Sequence, residues 1–147
     1  MGHFTPGFTS SKLSALQAIQ ALGLTTGLQL CLDAGDEVSY PGTGQPWIDR
    51  SGNGYDFNRG ATSSAEASDP TFNGTAGQLS GNEFWSFDGD DFFTLGQANP
   101  TWVNNLHKNN AKFAIAGWAY TKSVALNDGT LFVSSDDNSG TGIAYYI

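Results

Sequence analysis

The sequence is poor in the residues that most often carry chemistry. It has one cysteine, two histidines and three glutamates among 147 residues. A single cysteine excludes a disulfide within the chain and a zinc site built from several thiolates. Cys31 stands in an apolar run, which predicts a buried, inert thiol rather than a nucleophile. The two histidines, His3 and His107, suggest no Ser-His-Asp arrangement.

Positive charge is also scarce, because six basic residues face 14 acidic ones and leave a net charge of −8. Phosphate neutralisation needs clustered Lys and Arg, so we expect no nucleic-acid partner, and an acidic shell disfavours anionic membranes. No apolar run has membrane-spanning length, and Met1–Lys12 lacks the features of a secretory signal. We therefore expect a soluble chain made in the cytoplasm, with a polar partner such as a glycan left open.

Glycine and aromatic residues are abundant, at 19 glycines and 13% Phe, Trp and Tyr. Short apolar runs alternate with turns rich in Gly, Asp and Asn, which predicts an all-β fold. The run Lys112–Tyr120 alternates most regularly and is the clearest predicted strand. The other predicted strands are Leu28–Leu32, Trp47–Ile48, Tyr55–Phe57, Phe84–Phe87, Phe92–Leu95, Leu131–Val133 and Ile143–Ile147.

Two short helices interrupt this pattern. Ser10 or Ser11 is the predicted N-cap of the first, and Gly23 its C′ residue. Its apolar residues recur at helical spacing: Leu13, Leu16, Ile19 and Leu22. Asn99 is the predicted cap of the second helix, with Pro100 at the first helical position and an end near His107–Asn110. Its inward-facing residues are Trp102, Val103 and Leu106.

Three acidic turns are candidate cation sites. Asp49, Ser51, Asn53 and Gly54 match the opening of an EF-hand loop, but Gly60 stands where the twelfth-position Glu belongs. Because that ligand is missing, the favoured interpretation is an Asx-type turn, in which the Asp and Asn side chains bond to the local backbone. The other two turns are expected to be a solvated hairpin turn and a loop tip: Asp88, Asp90 and Asp91, then Asp136, Asp137 and Asn138. We predict no cofactor and no catalytic, cofactor-binding or metal residue, with calcium left open.

The four tryptophans are candidates for stacking on a sugar. Trp85 and Trp118 lie in strand patterns and Trp102 on an inner helix face, so core packing is predicted for these three. Trp47, beside Pro46 and a polar turn, is left open as a sugar platform.

The segment from Leu28 to Phe93 contains the pattern L-D-A-G, then S-Y-P-G-x-G-x-x-W-x-D-x-S-G-N-G, then F-D-G-x-D-[FY]. The matching positions are Leu32–Gly35, Ser39–Gly42, Gly44, Trp47, Asp49, Ser51–Gly54, Phe87–Gly89 and Asp91–Phe92. With this pattern, the segment resembles the concanavalin A-like lectin/glucanase superfamily in its laminin G-like branch. The opening variant is similar to one used in structural proteins of tailed phages and gene transfer agents.

This resemblance implies an antiparallel, lectin-like jelly-roll sandwich behind an N-terminal arm and helix. We expect residues 1–25 to anchor or oligomerise; the alternative is a helix that only packs on the sandwich. Residues 26–147 are expected to form the first part of the sandwich. The missing strands come either from a neighbouring chain or, as we favour, from a protein that continues beyond Ile147. The implied protein is a head spike, head fibre or tail fibre component on the surface of a phage-like particle, made in a bacterial cytoplasm. It would be a homo-oligomer that binds cell-surface polysaccharide. The residues expected to contact particle subunits are Phe4, Phe8, Leu13, Leu16, Ile19 and Leu22.

Two alternatives stay open. One is a purely architectural module without a glycan ligand, and the other is a glycoside hydrolase fragment. Glucanases of this superfamily have a strand with two Glu flanking an Asp, and retaining hydrolysis needs two carboxyls about 5 Å apart. Glu37, Glu66 and Glu83 form no such run, so we expect a protein that is not an enzyme.

Overall fold

The chain is a small all-β protein with little helix. The computed structural model describes residues 12–96, 100–106 and 108–120, and the backbone of 130–133 and 144–146. Two compact units divide it, Met1–Ala98 and Asn99–Ile147. The helices are α1 (Ala15–Ala21) and α2 (Thr101–Leu106). The strands are β1 (Pro46–Trp47), β2 (Phe57–Arg59), β3 (Thr71–Asn73), β4 (Phe84–Ser86), β5 (Phe93–Leu95), β6 (Thr130–Val133) and β7 (Ala144–Tyr146).

The first unit contains two small antiparallel sheets. The order of one is β1-β2-β5, with Trp47 opposite Phe57 and Phe57 opposite Leu95. The other pairs β3 with β4 and places Phe72 opposite Trp85. Both sheets are made of strands of two or three residues, so most of the unit is loop. The antiparallel pairing of the strands is that of an all-β protein. The jelly-roll type implied by the resemblance is a more detailed claim than these sheets test, and it stays a prediction.

The core of the first unit is aromatic. Trp85 makes ring contacts with Tyr40, Trp47, Phe72 and Phe93 at centroid distances of 4.5–5.4 Å. Tilted and edge-on pairs at such distances add stability beyond the area that they bury. Tyr40 is 1% exposed and is the largest fully buried side chain of the described residues. This cluster joins the two sheets, because Trp47 and Phe93 lie on one and Trp85 on the other.

Helix α1 begins and ends with side-chain and backbone caps. Ser14 is the N-cap in a capping box: Ser14 Oγ accepts from the amide of Gln17, and Gln17 Oε1 accepts from the amide of Ser14. Gly23, at φ +68°, ends it in a Schellman motif in which Leu24 donates to the carbonyl of Ile19. Gly23 as C′ residue is confirmed, whereas the predicted cap at Ser10 or Ser11 is wrong. The Ser-x-x-Gln capping box makes Ser14 the N-cap, so Leu13 lies before the helix.

The second unit contains α2 and the antiparallel pair β6-β7, which has an irregularity between Thr130 and Phe132. Helix α2 follows Pro100 and ends at Leu106, close to the predicted end, while Asn99 and His107 lie outside the described residues. Trp102, Val103 and Leu106 are half-buried, as expected for an inward face. The strands predicted at 131–133 and 143–147 match β6 and β7 to within a residue or two.

Two predicted strands are wrong. Residues 28–32 and 112–120 have no ladder partner among the described residues. In the first, the backbone groups of Cys31 bond to the Asp49 side chain and the Arg50 amide instead of to a strand. In the second, every residue is exposed, and Trp118, expected in the core, is 104% exposed. The pattern of apolar residues indicates which side chains would share one face of a strand. A strand forms only where a neighbouring strand supplies hydrogen-bond partners.

The acidic turn at residues 88–91 is not a hairpin, which corrects the prediction. Strand β4 before it pairs with β3, and β5 after it pairs with β2, so the turn connects two sheets. The sequence reasoning missed β3, because Thr71–Asn73 is a single short run between polar loops. The remaining short strands lie within two residues of their predicted places.

Other predictions fall outside what the structure describes. The arm with Phe4 and Phe8 and the acidic group Asp136, Asp137 and Asn138 are outside the described residues. Helix α1 lies in the same compact unit as the residues up to Ala98, and the functional division at residue 25 stays a prediction. Of the helices in the described ranges, none has the length and hydropathy needed to cross a membrane.

A substitution at Gly74, in the turn from β3 to β4, tests how closely this turn approaches the backbone on its other side. The φ of Gly74 is +95°, and a Cβ there would lie 2.6 Å from the backbone oxygen of Asn82. Gly52 is the matched control, with φ +92° and open space around it. We expect Gly52→Ala to lower the free energy of unfolding by about 1–2 kcal/mol through backbone strain alone. Gly74→Ala adds overpacking against a fixed backbone, which costs about 1–3 kcal/mol more.

Urea denaturation of both variants measures the difference. Equal midpoints for the two variants would contradict the close approach of Gly74 to Asn82.

Candidate functional site: the motif loops and the groove beside helix α1

The buried carboxylate of Asp49 organises the loop that resembles a calcium site. Asp49 is 6% exposed. Its Oδ1 accepts from the amides of Cys31 (3.0 Å) and Ser51 (2.8 Å), and its Oδ2 from the hydroxyl of Ser51 (2.6 Å) and the amide of Tyr55 (3.2 Å). Burial by itself would raise the pKa of Asp49, but these bonds, led by the Ser51 hydroxyl, outweigh it and lower the pKa.

The rest of that loop is bonded locally. Asn53 donates from Nδ2 to the carbonyls of Leu28 and Gln29, and the hydroxyl of Ser51 also lies 3.1 Å from the carbonyl of Gln29. These side chains therefore attach the 28–31 segment to the loop without a strand ladder. The arrangement is the Asx-type turn that was the alternative to an EF-hand-like site. The expected absence of a cofactor stays a prediction.

Asp33 connects the L-D-A-G turn to helix α1. Its Oδ2 accepts from the amide of Ala15 at 2.7 Å, and its Oδ1 accepts from the amide of Gly35 at 2.8 Å. Its own amide donates to Ser39 Oγ, and the Ser39 hydroxyl donates to the carbonyl of Ile48. Ser39 is fully buried. The first two motif turns thus bond to each other, and the first of them also bonds to the start of the helix.

Cys31 is 5% exposed, which confirms a buried thiol. Burial raises the pKa of Cys31, and the nearby charges of Asp33 and Asp49 raise it further. A thiol with a raised pKa stays protonated at neutral pH and is a poor nucleophile. Cys31 therefore has a packing role.

Trp47 is part of the aromatic core rather than an open platform. It is half-buried, and its ring contacts Trp85 at 5.4 Å and Phe93 at 4.9 Å between centroids. Arg59 lies over Trp85, 5.6 Å from the ring centroid, and donates from Nη1 to Tyr40 Oη and the carbonyl of Gly44. Trp47 is therefore held by rings from both sheets, and Tyr40 of the S-Y-P-G-x-G segment packs on its neighbour Trp85.

The acidic group Asp88, Asp90 and Asp91 comes together in space, with one carboxylate oxygen of each within 4.8 Å of the others. Asp88 and Asp90 are exposed and Asp91 is half-buried. A hydrogen bond with Asp90 and the charge of Asp91 raise the pKa of Asp88. Exposed acidic groups are common without an ion, and the solvated turn stays a prediction.

A groove lies between helix α1 and the loops at residues 35–38 and 77–79. Its volume is about 440 Å³, and six of its eleven lining residues are polar or charged. The helix contributes Leu16, Gln17 and Gln20 to one wall. The floor and the opposite wall are contributed by the two loops and by Arg50.

The polar groups of the groove are partly engaged. Arg50 Nε donates to Asp36 Oδ2 at 3.1 Å, and the Arg50 side chain remains 28% exposed. Glu37 is exposed, and Gln20 is exposed on the helix. The lining therefore offers a carboxylate, an amide and a guanidinium toward solvent, beside aliphatic groups from Leu16, Val38 and Leu79.

The chain matches no family model, no curated protein and no solved structure in the three comparisons made. The resemblance drawn from the motif residues thus stays a prediction.

Sequence reasoning missed the groove. It identified the L-D-A-G and S-G-N-G turns, which the structure brings together around Asp33 and Asp49. It assigned Leu16 to an interface and gave no role to Gln17, Gln20 or Glu37. The only signal for the groove was the Ser-x-x-Gln box at Ser14, which sets where the helix begins and therefore which of its residues face the loop.

Asp49→Asn should destabilise the protein by about 1–3 kcal/mol at neutral pH, because an amide cannot accept as many hydrogen bonds and introduces donors among donors. The folded-state pKa of Asp49 lies below its ordinary value of 3.8, so its contribution is complete above that pH and is lost as the pH falls through the lower folded value. The variant should therefore lose the acid-side part of this dependence. Thermal unfolding from pH 7 to pH 2 measures it.

Ser51→Ala is the control. It removes one of the four donors to Asp49, and we expect a smaller loss of about 1 kcal/mol with the acid dependence reduced but present. An Asp49→Asn protein as stable as the parent at pH 7 would contradict the role of this carboxylate.

Proposed function

We propose that the protein is a non-enzymatic structural and adhesive component of a phage-like particle. Its N-terminal part attaches to the particle, and its lectin-like body binds a cell-surface glycan. The head spike, head fibre and tail fibre are the components that the L-D-A-G and S-Y-P-G resemblance implies. The protein works on the particle surface, as a homo-oligomer.

The observation that carries the attachment role is the exposure of leucines around helix α1. Leu22 is 71% exposed, Leu24 is 62% exposed and Leu13 is 54% exposed. Three large apolar side chains near one short helix form more exposed apolar surface than scattered surface leucines do. Leu16 and Ile19 are half-buried and face the body of the unit. This arrangement supports an apolar patch on a particle subunit as the partner.

The motif loops support a binding role over catalysis. Asp33, Asp36 and Asp49 each accept hydrogen bonds from nearby amides, so their carboxylates are engaged in holding loops. Glu83 caps the turn before it by accepting from Ser80. Loops positioned in this way by a folded body are the usual place for recognition.

The rival with a specific observation behind it is the hydrolase fragment. Asp88 and its neighbours place carboxylates within 4.8 Å of one another, close to the separation that a retaining glycosidase uses. Their exposure argues against this, because such enzymes hold the acid in an apolar pocket that raises its pKa. The purely architectural module differs from the proposal only in lacking a glycan.

Replacing Leu22 and Leu24 together by Gln should abolish incorporation into particles. Both side chains are mainly exposed, so the fold should change in stability by no more than about 0.5 kcal/mol for each substitution. Sedimentation of particles from cells that express the variant measures incorporation, and thermal unfolding measures stability.

Val38→Gln is the matched control, because Val38 is also a mainly exposed apolar residue but lies outside the helix. It should be incorporated as the parent is. Particles that contain the double variant in parental amounts would contradict docking through this part of the chain.

The complete protein should bind one or more polysaccharides on a glycan array and release no reducing ends from them. If the protein binds no glycan on the array but is incorporated normally into particles, the architectural module is favoured. Release of reducing ends that stops in the Asp91→Asn variant would favour the hydrolase.

A further inference from the structure

We propose that the groove between helix α1 and the loops at 35–38 and 77–79 is the saccharide-binding site and takes an uncharged sugar. This rests on the proposed function, and it adds the place and the ligand class. The helix is then both a docking element and one wall of a binding site.

The chemistry of the lining favours a polyhydroxyl ligand. The exposed amide of Gln20, the carboxylate of Glu37 and the guanidinium of Arg50 are planar groups that can bond two neighbouring hydroxyls at once. Aliphatic groups of Leu16, Val38 and Leu79 lie among them and suit the C–H faces of a ring. A site of a few oriented polar groups beside apolar surface is the usual composition of a small-molecule site.

The negative charge of the groove and of residues 1–98 favours an uncharged sugar over an acidic one. The Asp36–Arg50 ion pair is neutral as a unit, and Glu37 adds one negative charge to the groove. Residues 1–98 contain eleven of the fourteen acidic side chains and only three of the six basic ones. An acidic polysaccharide would approach against this field, whereas an uncharged one would not.

One residue that lines the groove has a strained backbone. Leu79 has φ +46°, in a region that a bulky side chain rarely adopts. Its Cδ2 packs over Gly35, where a Cβ would lie 3.2 Å away. Strained residues persist where the surrounding structure enforces them, and they cluster at ligand sites. Leu79 is placed so that its side chain covers the floor of the groove.

Gly77 supplies a test that fills the groove without removing a polar group. Its φ is +79°, and a Cβ there would lie 2.9 Å from Glu37 Oε2 and 3.3 Å from Glu37 Cβ. Gly77→Ala must therefore displace the Glu37 carboxylate. Gly81→Ala is the matched control, since Gly81 has φ +86° and nothing within 4 Å of the added methyl. Both variants carry the same kind of backbone strain.

The experiment titrates the full chain with cellohexaose, maltohexaose and chitohexaose, and with a hyaluronan hexasaccharide as the acidic probe. Amide chemical shifts in two-dimensional NMR report the binding. We expect at least one neutral sugar to shift the amides of 16–20, 35–38 and 77–79, and hyaluronan to shift none. Gly77→Ala should weaken binding about tenfold and Gln20→Ala about fivefold, as for the loss of one hydrogen bond. Gly81→Ala should bind as the parent does.

The outcomes separate this proposal from the broader one. A neutral sugar that shifts other amides, or binds all variants equally, overturns the groove and leaves glycan adhesion standing. If no sugar on the array or in the titration binds, adhesion and groove fail together. Tighter binding of hyaluronan overturns the uncharged ligand. A leucine-rich peptide that shifts the groove amides when no sugar does would assign the groove to protein docking and overturn the proposal.

Discussion

The satisfaction of backbone amides by the carboxylates of Asp49, which is buried, and Asp33, which is half-buried, is the constraint on which the first unit depends. Its strands are only two or three residues long, so ladders satisfy few of its backbone groups. Asp49 accepts four hydrogen bonds, and Asp33 accepts two more, one of them from helix α1. An unpaired buried amide costs about 1–3 kcal/mol. Without these two side chains, the loops that carry the motif would lose part of their attachment to each other, and Ala15 at the start of the helix would lose its bond to the L-D-A-G turn.

The aromatic core and the polar loops depend on each other. Trp85 contacts rings from both sheets, and Tyr40 joins this cluster to the motif loop through the carbonyl of Gly44. Arg59 reaches the same hydroxyl and also lies over Trp85. A binding face built on such loops is preorganised, because the side chains beneath it have fixed partners. These fixed partners hold the loops around the groove in a unit with so little regular structure.

Much of the local structure was predictable from particular residues. Gly23 indicated where α1 ends. The residue types at Asp49–Gly54 indicated a turn held by side-chain bonds to the local backbone. The apolar run around Cys31 indicated a buried thiol. The segments 28–32 and 112–120 were wrongly predicted to be strands, because neither an apolar run nor an alternating pattern says whether a neighbouring strand is present. Thr71–Asn73 was missed because three residues give no period. The cap of α1 was misplaced because the capping box was overlooked: of the three serines before the helix, only Ser14 has a Gln three residues later.

The sequence by itself determined the fold class, the turns and the poverty in catalytic residue types, since these follow from composition and short-range chemistry. Tertiary structure decided what the polar residues do. Only folding shows that Asp33 bonds to a helix 18 residues earlier in the chain, and that Trp47 is enclosed by rings from two sheets while Trp118 is not. The groove exists for the same reason: its walls come from segments far apart in sequence, and distances between such segments are properties of packing and not of pattern.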